Sequence, residues 1–165
     1  MPTRNHFKKI KPSRLQAGSS ARPRMSSVRA VRQAAFLRVI DANLNRLRDG
    51  LRVIEDTLRF VYPESGLWDD VRNLRNRVGR IFSDTKIYSG LLVSRDSSHD
   101  PGSASAQKKH KDIPSLLRAN FARASESLRV LEEYSRFAAP RKVSLFKKIR
   151  FTLYEIEKNA SSFIR

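Results

Sequence analysis

The stretch Ala42–Phe60, ANLNRLRDGLRVIEDTLRF, returns at Ala119–Phe137 as ANFARASESLRVLEEYSRF, and this recurrence decides the fold. At a constant offset of 77, nine of the nineteen positions are identical, among them Asn43/Asn120, Arg46/Arg123, Leu51/Leu128, Glu55/Glu132 and Arg59/Arg136. Around the first copy, Phe36, Ile40, Leu44, Leu47, Leu51, Ile54 and Leu58 recur at three- and four-residue steps, the period of one buried helix face. This predicts a helix from about Ser27 to Val61, stopped by Pro63 and Gly66. A second helix follows from Leu67 to about Lys86, with Trp68, Val71, Leu74, Val78, Ile81 and Phe82 inward. Tyr88–Val93 is a short apolar run, read as a helix end or an extended piece.

Beyond the polar stretch Arg95–Asp112, Pro114 suits the first turn of a third helix reaching about Phe137, with Asp112 or Ile113 near its cap. Ser144 caps a fourth helix through about Ser161, with Leu145, Ile149, Leu153 and Ile156 inward. The fourth helix echoes the second at an offset of 78, where Val71-Arg72 matches Ile149-Arg150. The expected fold is all-α, a four-helix bundle of two repeated helical hairpins with internal pseudo-two-fold symmetry. The expected boundaries are a disordered basic tail over residues 1–26 and one helical domain over 27–165. Within it, the first repeat covers about 30–87, a loop 88–112, and the second repeat about 113–163.

Composition narrows the function classes. No apolar run approaches the ~20 residues of a membrane span, so a soluble, cytoplasmic protein is expected. The chain has no cysteine and only three scattered histidines, which excludes disulfides and thiolate metal sites and argues against a histidine metal centre. The net charge of +18 points toward nucleic acid, but its distribution weakens that reading. Residues 1–40 hold ten Lys or Arg and no acid, whereas the other 24 basic residues face all 16 acidic ones. A basic arm, a transit peptide, or upstream sequence ahead of a start at Met25 all account for that tail.

The repeated polar residues flank the apolar stripe. At about 100° per residue, Asn43, Arg46 and Gly50 lie on one flank and Glu55 and Arg59 on the other. Asn120, Arg123 and Ser127 repeat the first flank, and Glu132 and Arg136 the second. Glu55–Arg59 and Glu132–Arg136 have the spacing of ordinary i,i+4 helix pairs, and that explanation stands first. The alternative is that the two glutamates converge at the bundle interface to orient arginines or hold a metal. Asn is disfavoured inside helices, so its double occurrence fits either a tight helix crossing or a ligand edge, with Arg46 and Arg123 on phosphate. In the loop, Arg95, Asp96, Asp100, Gly102 and Ser103 are candidates for a phosphate–Mg²⁺ complex, although spacing alone favours a solvated loop. No P-loop, GxGxxG or HExxH motif is present.

RVIDANLNRLRDGLRVIEDTLRF, the LLVSRD and D-P-G stretch, and LLRANFARASESLRVLEEYSRF together resemble the helical domain found in front of, or separate from, bacterial thiamine-phosphate synthase. The resemblance covers about Phe36–Ser161. That domain is regarded as an alternative hydroxymethylpyrimidine-phosphate kinase. The resemblance therefore implies ATP, Mg²⁺ and a pyrimidine phosphate substrate; a homo-oligomer is allowed as a partner but not implied by it. Asn43, Arg46, Arg59, Arg95, Asn120, Arg123 and Arg136 are the matching positions for binding the substrate or its phosphate, with Arg46, Arg95 and Arg123 expected on phosphates. Asp96, Glu55 or Glu132 would hold Mg²⁺ or orient the hydroxyl that is phosphorylated. The synthase barrel needs well over this length, so the chain alone is not expected to join the two halves of thiamine. Two other readings remain: a non-catalytic module docking on a separate thiamine-phosphate synthase, and a basic nucleic-acid binder driven by the tail.

Overall fold

In a computed structural model, the described residues are 25–81, 83, 85–96 and 109–164. Residues 1–24 of the expected tail, Phe82, and Asp100, Gly102 and Ser103 of the loop lie outside them, while Met25 and Ser26, placed in that tail by the sequence, are helical. The described residues form five helices and no strand: α1 (Met25–Phe60), α2 (Leu67–Arg80), α3 (Thr85–Val93), α4 (Ile113–Ala138) and α5 (Val143–Asn159). The fold is all-α. α1, α2, α4 and α5 form the bundle, and α3 packs on α1.

The apolar stripe of α1 performs as its spacing demands. Ile40, Leu44, Leu47, Leu51, Ile54 and Leu58 are all buried, against Val71, Leu74 and Val78 of α2 and Leu117, Phe121, Leu128 and Leu131 of α4. Phe36 instead sits at the edge, its ring 5.9 Å from Tyr134 and 5.4 Å from the exposed Phe137. Phe36 meets residues near the end of α4, and Gly50 meets Asn120 and Ala124, so α1 and α4 run antiparallel. A Cβ on Gly50 would stand 3.2 Å from the Asn120 carbonyl oxygen, and it is the missing side chain that lets the two backbones come this close.

Local chemistry sets the boundaries. Gly66 takes φ +65°, a left-handed conformation that turns the chain from the 3-10 turn Pro63–Ser65 into α2. α2 ends at Arg80 rather than reaching Lys86. Ile81 N–H bonds back only to the Val78 carbonyl, and the Ser83 hydroxyl takes the Arg80 carbonyl at 3.1 Å, diverting the helical ladder. Tyr88–Val93, read as a helix end or an extended piece and drawn into the loop, is helical and makes up most of α3. Leu91 is buried and Ile87 half-buried, one turn apart on the face toward α1. Asp112 closes a capping box at α4: its carboxylate accepts the Ser115 N–H at 2.7 Å and its own N–H reaches the Ser115 hydroxyl at 3.1 Å. The Ser115 N–H, and after it the Ser115 hydroxyl, hold the Asp112 carboxyl below its ordinary pKa. Ser144 does not cap the last helix. The 3-10 turn Pro140–Lys142 leads directly into Val143, and no side chain caps that end.

Candidate functional site

Among the described residues the repeated glutamates are the most deeply buried carboxylates, and neither forms the i,i+4 pair its spacing suggested. Glu55, 1% exposed, reaches across to α2, accepting from Arg72 Nε at 3.2 Å and Arg75 Nε at 2.6 Å. Burial pushes its carboxyl up, but the hydrogen bonds and charges of Arg75 and Arg72 outweigh that and leave its pKa below the ordinary value. Glu132, 3% exposed, accepts from Arg150 Nε and Nη2 of α5 at 3.1 and 3.0 Å, and from Arg129 Nη1 at 3.2 Å. Arg72 and Arg150, whose correspondence at offset 78 was visible in the sequence, thus take matching acids.

The two glutamates do not converge. Glu132 is level with the early turns of α1, and Glu55 lies roughly 20 Å further along the antiparallel pair. Each orients its own arginines at its own hairpin. No group of three His, Cys, Asp or Glu residues that could hold a metal forms among the described residues. Arg59 lies over aromatic rings, 4.9 Å from the Phe60 centroid and 5.7 Å from that of Trp68. Arg136 pairs with Glu133 at 3.0 Å.

The asparagine flank lies at the close helix crossing that was one of its two explanations. Asn43 and Asn120 are buried, and each donates its side-chain amide to the carbonyl one turn back, Val39 at 2.9 Å and Leu116 at 2.8 Å. Gly50 and Ser127 are buried with them. Arg46 and Arg123 are exposed within a turn of the crossing, and Arg123 Nη1 donates to Asn120 Oδ1 at 3.4 Å.

Arg95 and Asp96 meet α1 in a cleft that the sequence did not single out. Asp41, 6% exposed, accepts two bonds from Arg95, from Nε at 2.6 Å and Nη2 at 2.9 Å, and a weaker one from Asn45 at 3.4 Å. The hydrogen bond and charge of Asp41 raise the Arg95 pKa further above its ordinary value. Arg38 Nε donates to the Ser94 carbonyl at 3.0 Å and its terminal nitrogen lies 3.5 Å from Asp96. Asp41, Asn45, Arg48, Tyr88 and Arg95 line a cavity of about 50 Å³, floored by Leu44, Val78 and Leu91. The segment that leads out of α3 is therefore clamped to α1 by two arginines. Asp41 escaped sequence reading because it has no identical partner at offset 77, where Arg118 stands.

No helix among the described residues is long and apolar enough to cross a membrane. The chain is similar to curated proteins called thiamine-phosphate synthase. It is 37% identical over 123 residues to that of Thermosynechococcus vestitus, covering 73% of this chain and 34% of that protein. It is 35% identical over 135 residues to that of Gloeobacter violaceus, covering 79% and 38%, and 39% identical over 123 residues to that of Synechococcus sp. strain CC9605, covering 73% and 34%. The chain thus spans only about a third of the length of these relatives. No solved structure matches it. The model of the ThiD2 family matches residues 38–159, which take in the apolar stripe of α1, both buried glutamates, and Asp41 and Arg95 of the cleft, and the chain belongs to that family.

Proposed function

We propose that the chain is a phosphotransferase of thiamine biosynthesis, converting hydroxymethylpyrimidine phosphate to its diphosphate with ATP. Family membership and relatives called thiamine-phosphate synthase support the pathway. The cleft that joins Asp41 and Arg95 beside Arg38, Asp96 and Arg48 is the observation that carries the chemistry. A phosphoryl group passing between two phosphates demands neutralisation of charge more than proton removal.

That point revises the role of the carboxylates. The acceptor of this step is a phosphate oxygen, not a hydroxyl. With a second pKa near 6, a phosphate monoester already carries its negative charge at neutral pH. The acceptor oxygen attacks the terminal phosphorus of ATP, the bond to the bridging oxygen breaks, and ADP leaves. No general base is required, so Glu55 and Glu132 need only hold arginines. Arg95, Arg38 and Arg48 are assigned to phosphates. Mg²⁺ characteristically binds one or two carboxylates plus substrate phosphates rather than an all-protein cage. Asp96, with 31% of its side chain exposed, suits that role. Mg²⁺ would supply charge neutralisation on the transferred group.

The test is ATP-dependent formation of the pyrimidine diphosphate by purified protein. Arg95→Ala is expected to lower kcat/KM at least about tenfold, the loss of one charge-assisted phosphate contact. Turnover unchanged by Arg95→Ala would remove the cleft from the reaction. A second reading is that the chain is a docking module for a separate synthase, favoured by the fact that it spans only about a third of its relatives' length. It predicts a stable complex with that synthase and no turnover by the chain alone.

A further inference from the structure

The α1–α2 hairpin carries a second cluster, about 20 Å along α1 from Asp41. Trp68, the single tryptophan of the chain, is half-buried at the start of α2. The Arg72 guanidinium lies 4.7 Å from its ring centroid and that of Arg59 5.7 Å. Glu55 anchors Arg72 and Arg75 through their Nε atoms. A guanidinium has five N–H donors, and among the described residues those bonds use one from each. The side chains of Arg72 and Arg75 are 34% and 27% exposed, and Arg59 is exposed, so all three reach solvent. Two nearby acids already hold a partner through one oxygen: Asp56 accepts from Arg52 at 2.9 Å, its Oδ1 staying buried without a bond, and Asp69 accepts from Asn73 at 3.2 Å. Among the described residues, Arg52, Arg59, Arg72 and Arg75 stand beside Glu55, Asp56 and Asp69, an excess of one positive charge.

The corresponding cluster on α4–α5 is closed. Arg150, with 14% of its side chain exposed, spends Nε and Nη2 on Glu132 and Nη1 on Tyr154. Arg129 divides its terminal nitrogens between Glu132 and Glu133, and Arg136 also takes Glu133. Leu153 stands in register with Arg75 and the buried Phe146 with Trp68, so α5 sends one guanidinium to its glutamate where α2 sends two. A structural role explains the α4–α5 cluster completely. It does not account for the remaining, solvent-reaching N–H donors of Arg72 and Arg75 beside Trp68.

We infer that Arg59, Arg72 and Arg75, arranged around Trp68 and Glu55, form a binding site for a dianionic phosphate group. Guanidinium forks match the oxygens of a phosphate. Glu55 below and the Trp68 ring beside them fix the side chains before the ligand arrives, which lowers the entropy lost on binding. This site stands apart from the Arg95 cleft and does not require the kinase reading.

Trp68 makes the experiment direct, because tryptophan emission reports on this site alone. The full chain is titrated with inorganic phosphate and with pyrophosphate, against chloride at matched ionic strength, and the heats are measured by calorimetry. A saturable emission change with phosphate or pyrophosphate and none with chloride is expected. Arg59→Gln, whose residue makes no ion pair among the described residues, should keep the fold and weaken binding about tenfold. Arg72→Gln should do the same, while Arg150→Gln, in the closed cluster, should leave the dissociation constant unchanged. Absence of saturable binding to the parent chain, or equal affinity in Arg59→Gln and Arg72→Gln, overturns the site. Because no turnover is measured, failure here leaves the kinase assay undecided, and the reverse.

Discussion

Glu132→Gln tests whether the buried glutamates fasten the hairpins. The Glu132 carboxylate is 4% exposed and receives three hydrogen bonds from two arginines, of which Arg150 is itself only 14% exposed. Removing one partner of a buried ion pair costs about 3–5 kcal/mol. Gln keeps the volume and one acceptor oxygen, and Arg150 retains Tyr154, so the lower end, about 3 kcal/mol, is expected. Glu55→Gln should cost less, about 2 kcal/mol, because Arg72 and Arg75 are about a third exposed and recover water. For a domain of this size those losses lower Tm by about 6–12 °C and 4–8 °C. Urea unfolding followed by far-ultraviolet circular dichroism measures both. Combining Glu132→Gln with Arg150→Met should cost at least about 1 kcal/mol less than the sum of the single changes, as expected for side chains in direct contact. Glu132→Gln within about 0.5 kcal/mol of the parent, or the opposite ranking of the two glutamates, would refute the reasoning.

Asp112→Ala removes the acceptor of the α4 capping box and should cost about 1 kcal/mol in the same urea assay. Gly50→Val places a branched side chain 3.2 Å from the Asn120 carbonyl and should cost at least about 2 kcal/mol. Gly50→Ala should stay within about 1 kcal/mol of the parent, because its gain in helix propensity offsets the tight contact. The Glu55 pKa is lowered in the fold, so its stabilisation is complete above the unfolded value near 4.3 and is lost as pH falls through the folded value. Acid titration of Glu55→Gln should therefore show a shallower loss of stability than the parent below about pH 4.3. Burial raises the Glu157 pKa, the opposite sign, so Glu157→Gln should stabilise the chain at neutral pH and lose that advantage in acid.

The helices were legible because burial writes a period into the chain. Every residue from Ile40 to Leu58 in the expected stripe is buried. The Gly50 and Asn120 contact was legible as one of two explanations for small and amide residues in both copies, and the structure shows that close approach. What spacing could not reveal was partner choice. Glu55 has Arg59 one turn away, but that guanidinium lies over Phe60 and Trp68, and Arg72 and Arg75 arrive from the next helix. An i,i+4 pair on a solvated face is worth only about 0.3–0.5 kcal/mol, too little to compete with bonds to a buried carboxylate. Asp41 was missed for a related reason: its partner Arg95 is 54 residues away, and no local pattern encodes that meeting. α3 was obscured because nine residues give too few turns for a clear period.

The most direct measurement of the functional proposal is a phosphorylation assay on protein beginning at Met25, with hydroxymethylpyrimidine phosphate, ATP and Mg²⁺, resolved by chromatography of the products. The account predicts stoichiometric pyrimidine diphosphate and ADP, and a severe loss of both with Arg95→Ala. Folded protein that binds no pyrimidine phosphate in calorimetry and forms no diphosphate would contradict it.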